Sequence, residues 1–90
     1  MESEGRPDPH AGDRDEATAA FGTALRRRRR ALRLTQEGLA EAAGLSSKFV
    51  AHLERAERQP SLWSLIRLGR ALGVPAADLV SEVEDALARG

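Results

Sequence analysis

The chain has no cysteine, and its only aromatic residues are Phe21, Phe49 and Trp63. Without cysteine there is no disulfide framework and no thiolate zinc site, which fits a reducing cytoplasm. So few aromatics argue against a stacking surface for single-stranded nucleic acid. No apolar run approaches the roughly 20 residues that span a bilayer. The first residues are acidic and polar and lack the apolar stretch of a secretory signal. Apolar residues nowhere alternate with period two and β-branched residues are few, so a sheet is not expected. Catalytic machinery is missing as well. The two histidines, His10 and His52, are far apart, there is no glycine-rich phosphate loop after a strand, and no metal-ligand spacing occurs. Carboxylate pairs such as Glu84-Asp85 sit on a solvated helix, where nothing sets them up for general acid or base work. The expectation is a non-enzyme with no cofactor and no metal.

What is present is arginine, unevenly placed. The formal net charge is zero, but residues 1–20 carry −4, residues 21–75 carry +7 and residues 76–90 carry −3. An anionic partner responds to this local charge rather than to the sum. The 90 residues suffice for one small domain whose core is marginal, so helix packing or dimerisation would help it.

Residues 1–19, rich in Gly, Pro, Asp and Glu, are expected to form a disordered acidic arm. This arm either only solvates the chain or competes with an anionic ligand for the basic face. Helical periodicity starts near Phe21, with Leu25, Ala31 and Leu32 spaced for a first helix over about 20–32. Thr35 is placed to cap a second helix carrying Leu39, Ala40 and Ala43, which Gly44 stops. Ser46 caps a third, with Val50 and Leu53 inside. Pro60 interrupts the helical run, and Ser61 then caps a fourth helix with inner face Leu62, Leu65, Leu68 and Leu72, ended by Gly73. Pro75 opens a fifth that carries Leu79, Val80, Val83 and Leu87 on one side. The expected fold is a compact five-helix all-α domain, divided into the arm, a four-helix unit over 20–75 and a C-terminal helix over 76–90.

The informative stretch is 35–54, two short helices joined by Gly44-Leu45-Ser46. A tight glycine-containing turn between short helices is the helix-turn-helix arrangement, which leaves its second helix free to enter a major groove about 12 Å wide. An ordinary helical hairpin would share the same spacing. Residues 47, 48, 51 and 52 lie opposite the Val50–Leu53 side. The start of this third helix points partial positive charge outward, toward a phosphate. Lys48 is suited to guanine O6 or N7, His52 to a base or phosphate, and Ala51 to a thymine methyl.

Residues 21–79 resemble the phage-repressor and Cro type of helix-turn-helix domain, also called the xenobiotic-response-element family. The resemblance rests on Leu34-Thr35-Gln36-Glu37-Gly38-Leu39-Ala40, on Gly44-Leu45-Ser46 followed by Val50, Leu53 and Glu54, and on Arg58-Gln59-Pro60-Ser61-Leu62 and Ala71-Leu72-Gly73-Val74. It implies a lambda-repressor-like fold and double-stranded DNA as partner. It also implies residue roles. Gln36 would bond a phosphate and brace the recognition helix, while Ser47, Lys48 and His52 would face base edges. Ser46 and Arg55 would lie near the sugar-phosphate backbone, with Arg58 close by. Arg29 and Glu54 would form a partly buried structural pair linking the first and third helices. The other arginines, 26, 27, 28, 30 and 33, would either reach flanking phosphates or make a solvated face.

Two positions depart from the family pattern. Ala56 stands where glycine is common, so that turn either holds a strained residue or takes another shape. Trp63 stands where a polar residue is usual, and either packs on its neighbours or anchors a dimer. A homodimer reading a pseudo-palindrome is expected, through Leu79, Val80, Val83 and Leu87 with Trp63; the alternative folds that stripe onto its own domain. The resulting expectation is a cytoplasmic, nucleoid-associated, autoregulatory transcription factor, of phage-repressor, restriction-modification controller or antitoxin kind. The alternative is a protein-interaction adaptor on the same fold.

Overall fold

Caps and stops set the helix boundaries. The computed structural model describes residues 11–89, which form α1 (Ala11–Ala31), α2 (Gln36–Ala43), α3 (Ser47–Glu54), α4 (Leu62–Leu72) and α5 (Ala76–Arg89), with no strand among them. Thr35, Ser46 and Ser61 each take extended backbone and accept a hydrogen bond from the amide three residues on, at 2.9, 3.0 and 3.0 Å. Each thereby satisfies an amide that the helix itself cannot.

Four helices end in the same way. A residue in the left-handed region follows the last turn: Arg33 (φ 59°), Gly44 (φ 70°), Ala56 (φ 62°) and Gly73 (φ 76°). In each case its amide and the next one reach back to the final turn, as Glu57 N–H does to the His52 carbonyl at 2.8 Å and Ala56 N–H to that of Leu53 at 3.1 Å. This is the Schellman arrangement. Two of the four stops use glycine, where the conformation carries no Cβ penalty. Arg33 and Ala56 adopt it at a steric cost of roughly 1–2 kcal/mol each.

The core is Phe21 and Leu25 from α1, Leu39, Ala40 and Ala43 from α2, Val50 and Leu53 from α3, Leu68 and Leu72 from α4, and Leu79 from α5. α1 packs on α3 and α5, while α4 packs on α2 and α5. The α1–α3 crossing is close because residue 22 is glycine. A Cβ there would lie 2.5 Å from the Leu53 carbonyl oxygen and 2.9 Å from that of Glu54.

Three expectations need correction. The first helix begins at Ala11 rather than near 20, so residues 11–19 are not a disordered arm; residues 1–10, with His10, lie outside the described residues. Glycine and proline in the first ten positions coloured the composition of the whole segment. From Ala17 onward an apolar stripe, Ala17-Phe21-Ala24-Leu25, already runs at helical spacing. Thr18 Oγ1 donates to the Arg14 carbonyl and accepts from Gln59 Nε2 at 2.7 Å, tying this extension to the α3–α4 loop. The second correction is Leu62, expected inside but 75% exposed, because it starts its helix ahead of the first buried turn. The third is Leu79, assigned to the dimer contact but fully buried within its own chain, where it belongs to the core.

Candidate nucleic-acid interface

The segment around α3 is anchored from within by one carboxylate. Glu54, the last residue of α3, has a side chain with no exposure. Its Oε2 accepts from Arg29 Nε at 2.7 Å, and its Oε1 accepts from Arg29 Nη2 at 3.0 Å and Gln36 Nε2 at 3.0 Å. Arg26 Nε adds a longer contact at 3.4 Å. The remaining Arg29 fork donates to the Leu34 carbonyl at 2.7 Å. One buried ion pair thus joins α1, the α1–α2 turn, α2 and α3. Burial alone would push the Glu54 carboxyl up, but the hydrogen bonds from Arg29, Gln36 and Arg26 outweigh it and hold the carboxyl below its ordinary value. The Arg29 guanidinium is held above its ordinary value, chiefly by its bonds to Glu54. The expected Arg29–Glu54 pair is therefore present in bidentate form.

Held in this way, α3 turns Val50, Leu53 and Glu54 inward and leaves Ser47 and Lys48 exposed at its start. Ala51 and His52 are half-buried on the same outer side. Ser46 is exposed and occupied in capping through its Oγ. Gln36, at the start of α2, spends one amide hydrogen on Glu54 and so braces α3 against α2. Beyond the helix, Arg55 is exposed but engaged, with Nε and Nη2 each 3.1 Å from the Glu57 carboxylate. His52 Nε2 lies 3.8 Å from the same carboxylate. Arg58 stacks over Phe49 with its guanidinium carbon 5.4 Å from the ring centre, so its charge is kept beside α3.

The arginine run divides by partner. Arg27 and Arg28 both pair with Glu82 of α5, while Arg26 and Arg29 pair with Glu54. Arg30 and Arg33 are exposed. The periodicity at 26–30 contained no sign of Glu82, which lies more than 50 residues away and arrives only when α5 folds back on α1. Arg67 was also not foreseen: its Nη1 donates to the Gly44 carbonyl at 2.9 Å and fixes the turn between α2 and α3 from α4. Trp63 packs on its own helix, with Arg67 and Arg70 stacked over its ring at 5.2 and 5.5 Å, yet remains 53% exposed.

A helix-turn-helix domain model matches residues 20–82. The chain belongs to the helix-turn-helix domain family. An uncharacterized HTH-type transcriptional regulator of Sinorhizobium fredii is 36% identical over 64 residues, 71% of this chain and 83% of that protein. Two solved structures are also similar. The clp gene regulator ClgR of Corynebacterium glutamicum superposes with a TM-score of 0.75 at 33% identity, covering 81% of this chain and 78% of that one. The restriction-modification controller protein C.AhdI of Aeromonas hydrophila gives 0.67 at 37% identity, covering 69% and 94%. These relatives are regulators or controllers, and the resemblance to a repressor and Cro type fits the likeness to C.AhdI. Among the described residues no group of His, Cys, Asp and Glu could hold a metal, and no helix is long and apolar enough to cross a membrane.

Proposed function

We propose that this helix-turn-helix chain binds double-stranded DNA in a sequence-specific way and regulates transcription, with α3 as its recognition helix. The observation that carries this reading is the exposed first turn of α3. Ser47 and Lys48 stand clear of the core on a helix whose other side is locked by the buried Glu54 network. A rigid helix presenting a donor at its tip meets the geometric demand of major-groove readout. Lys48 would donate to a guanine edge, Ser47 and His52 would contact neighbouring bases, and Ala51 would meet a thymine methyl. Gln36, Ser46, Arg55 and Arg58 would follow the phosphates.

One recognition helix reads only a few base pairs, so we place the protein on a pseudo-palindrome as a homodimer, with half-sites about 34 Å apart. With Leu79 committed to its own core, the contact would use Val80, 41% exposed, together with Trp63 and the neighbouring Leu62. Val83 and Leu87 are only half-buried and would support that face. Val80 lines a shallow apolar groove with Phe21, Pro60 and Val83, close to the loop that leads into Leu62. The likeness to a restriction-modification controller supports autoregulation of its own gene.

The test is a titration of the purified protein against the DNA upstream of its own gene and a scrambled duplex, at two salt concentrations. Tight binding to the upstream DNA alone, weakening as salt rises, is the expected result. Lys48→Ala should reduce it selectively for that sequence. Lack of binding to either duplex at low salt would overturn the reading in favour of a protein-interaction adaptor.

A further inference from the structure

Resting on the DNA-binding reading above, we propose that Glu57 is a built-in phosphate mimic that restrains Arg55 and so lowers the affinity for DNA of any sequence. The Ala56 stop places residues 55 and 57 side by side just past the end of the recognition helix. Both oxygens of the Glu57 carboxylate are taken up: Oε2 by Arg55 Nε and Oε1 by Arg55 Nη2, each at 3.1 Å. This is the two-pronged geometry that a guanidinium offers a phosphate. The hydrogen bonds from Arg55 hold the Glu57 carboxyl below its ordinary value, so it is ionised at neutral pH. The same Oε1 is 3.8 Å from His52 Nε2, on the outer side of α3. A single carboxylate thus faces two of the groups nearest the DNA.

For Arg55 to reach a phosphate, that phosphate must displace Glu57. The displacement costs the same on any duplex, because phosphates carry no sequence information. It therefore weakens non-specific binding, which rests almost wholly on phosphate contacts. Specific binding keeps the additional base contacts of Ser47 and Lys48 to offset it. Glu57 accordingly lowers the affinity for specific and non-specific DNA by the same factor, and only a site with base contacts stays occupied at low protein concentration.

The experiment compares wild type, Glu57→Gln, Arg55→Ala and the double variant Arg55→Ala/Glu57→Gln on a short random-sequence duplex across a salt series. Thermal melts confirm that each remains folded. Glu57→Gln should bind this duplex severalfold more tightly, and its plot of log affinity against log salt should be steeper by about 0.9, the value of one added phosphate contact. The gain should vanish when Arg55 is also absent. An unchanged affinity and slope in Glu57→Gln, or a gain of equal size in the Arg55→Ala background, would overturn the restraint while leaving the DNA-binding reading intact. Failure of both wild type and Glu57→Gln to bind at low salt would overturn that reading and this inference with it.

Discussion

Replacing Arg29 by alanine should severely destabilise this domain. The substitution deletes two hydrogen bonds to Glu54 and the bond to the Leu34 carbonyl. It leaves the Glu54 carboxylate buried beside Gln36 and the half-exposed Arg26. Removing one partner of a buried pair costs about 3–5 kcal/mol, because the remaining charge loses its compensation. Domains are stable by only about 5–15 kcal/mol in total, and each kcal/mol corresponds to about 4–8 °C in Tm at this size. A fall in Tm of at least about 12 °C follows, measured by circular dichroism alongside urea unfolding. The pH dependence supplies a second readout. Glu54 has a depressed carboxyl in the fold, so its contribution is complete above the unfolded value of about 4.3 and is lost as pH falls through the lower folded value. Wild type should therefore weaken below about pH 4 more steeply than Arg29→Ala. The Arg29→Met/Glu54→Leu pair should recover much of the loss, since apolar substitutes leave no buried charge. A loss below about 1 kcal/mol in Arg29→Ala, the range of a surface pair, would refute the claim that this ion pair is buried and structural.

Two further substitutions test the backbone. Gly22→Ala should destabilise by about 1–3 kcal/mol despite alanine's better helix propensity, because its Cβ would meet the Leu53 and Glu54 carbonyls; a rise in Tm would show that α1 and α3 have room to part. Ala56→Gly should stabilise by about 0.5–1 kcal/mol, the relief of a left-handed alanine less the added entropy of glycine. Lower stability in urea unfolding would contradict the strained stop.

Much of this fold is legible in local pattern. The caps Thr35, Ser46 and Ser61 and the stops Gly44 and Gly73 act within a few residues of themselves, so composition and spacing suffice to place helices α2 to α4. The motif around Gln36 and the turn at Gly44 likewise mark α2 and α3, whereas the Arg29–Glu54 pair was legible only through the resemblance to the repressor and Cro type. The errors fall where the deciding partner is remote. The early start of α1 depends on Phe21 and Thr18 meeting the Gln59–Pro60 loop and α5, which composition over the first residues cannot convey. Leu79 and Val80 look equivalent on a helical stripe, and only the docking of α5 on α1 and α4 buries one and exposes the other.

The same division holds for charge. The sequence by itself determined that the middle of the chain is basic and that α3 begins with exposed polar residues, because helix periodicity and capping are local properties of the backbone. Which arginines are free was decided only by the tertiary structure. Glu82 comes back across α5 to take Arg27 and Arg28, Glu54 takes Arg26 and Arg29, and the turn at Ala56 sets Glu57 against Arg55. Coulomb attraction falls with distance through space, and distance through space is what folding sets.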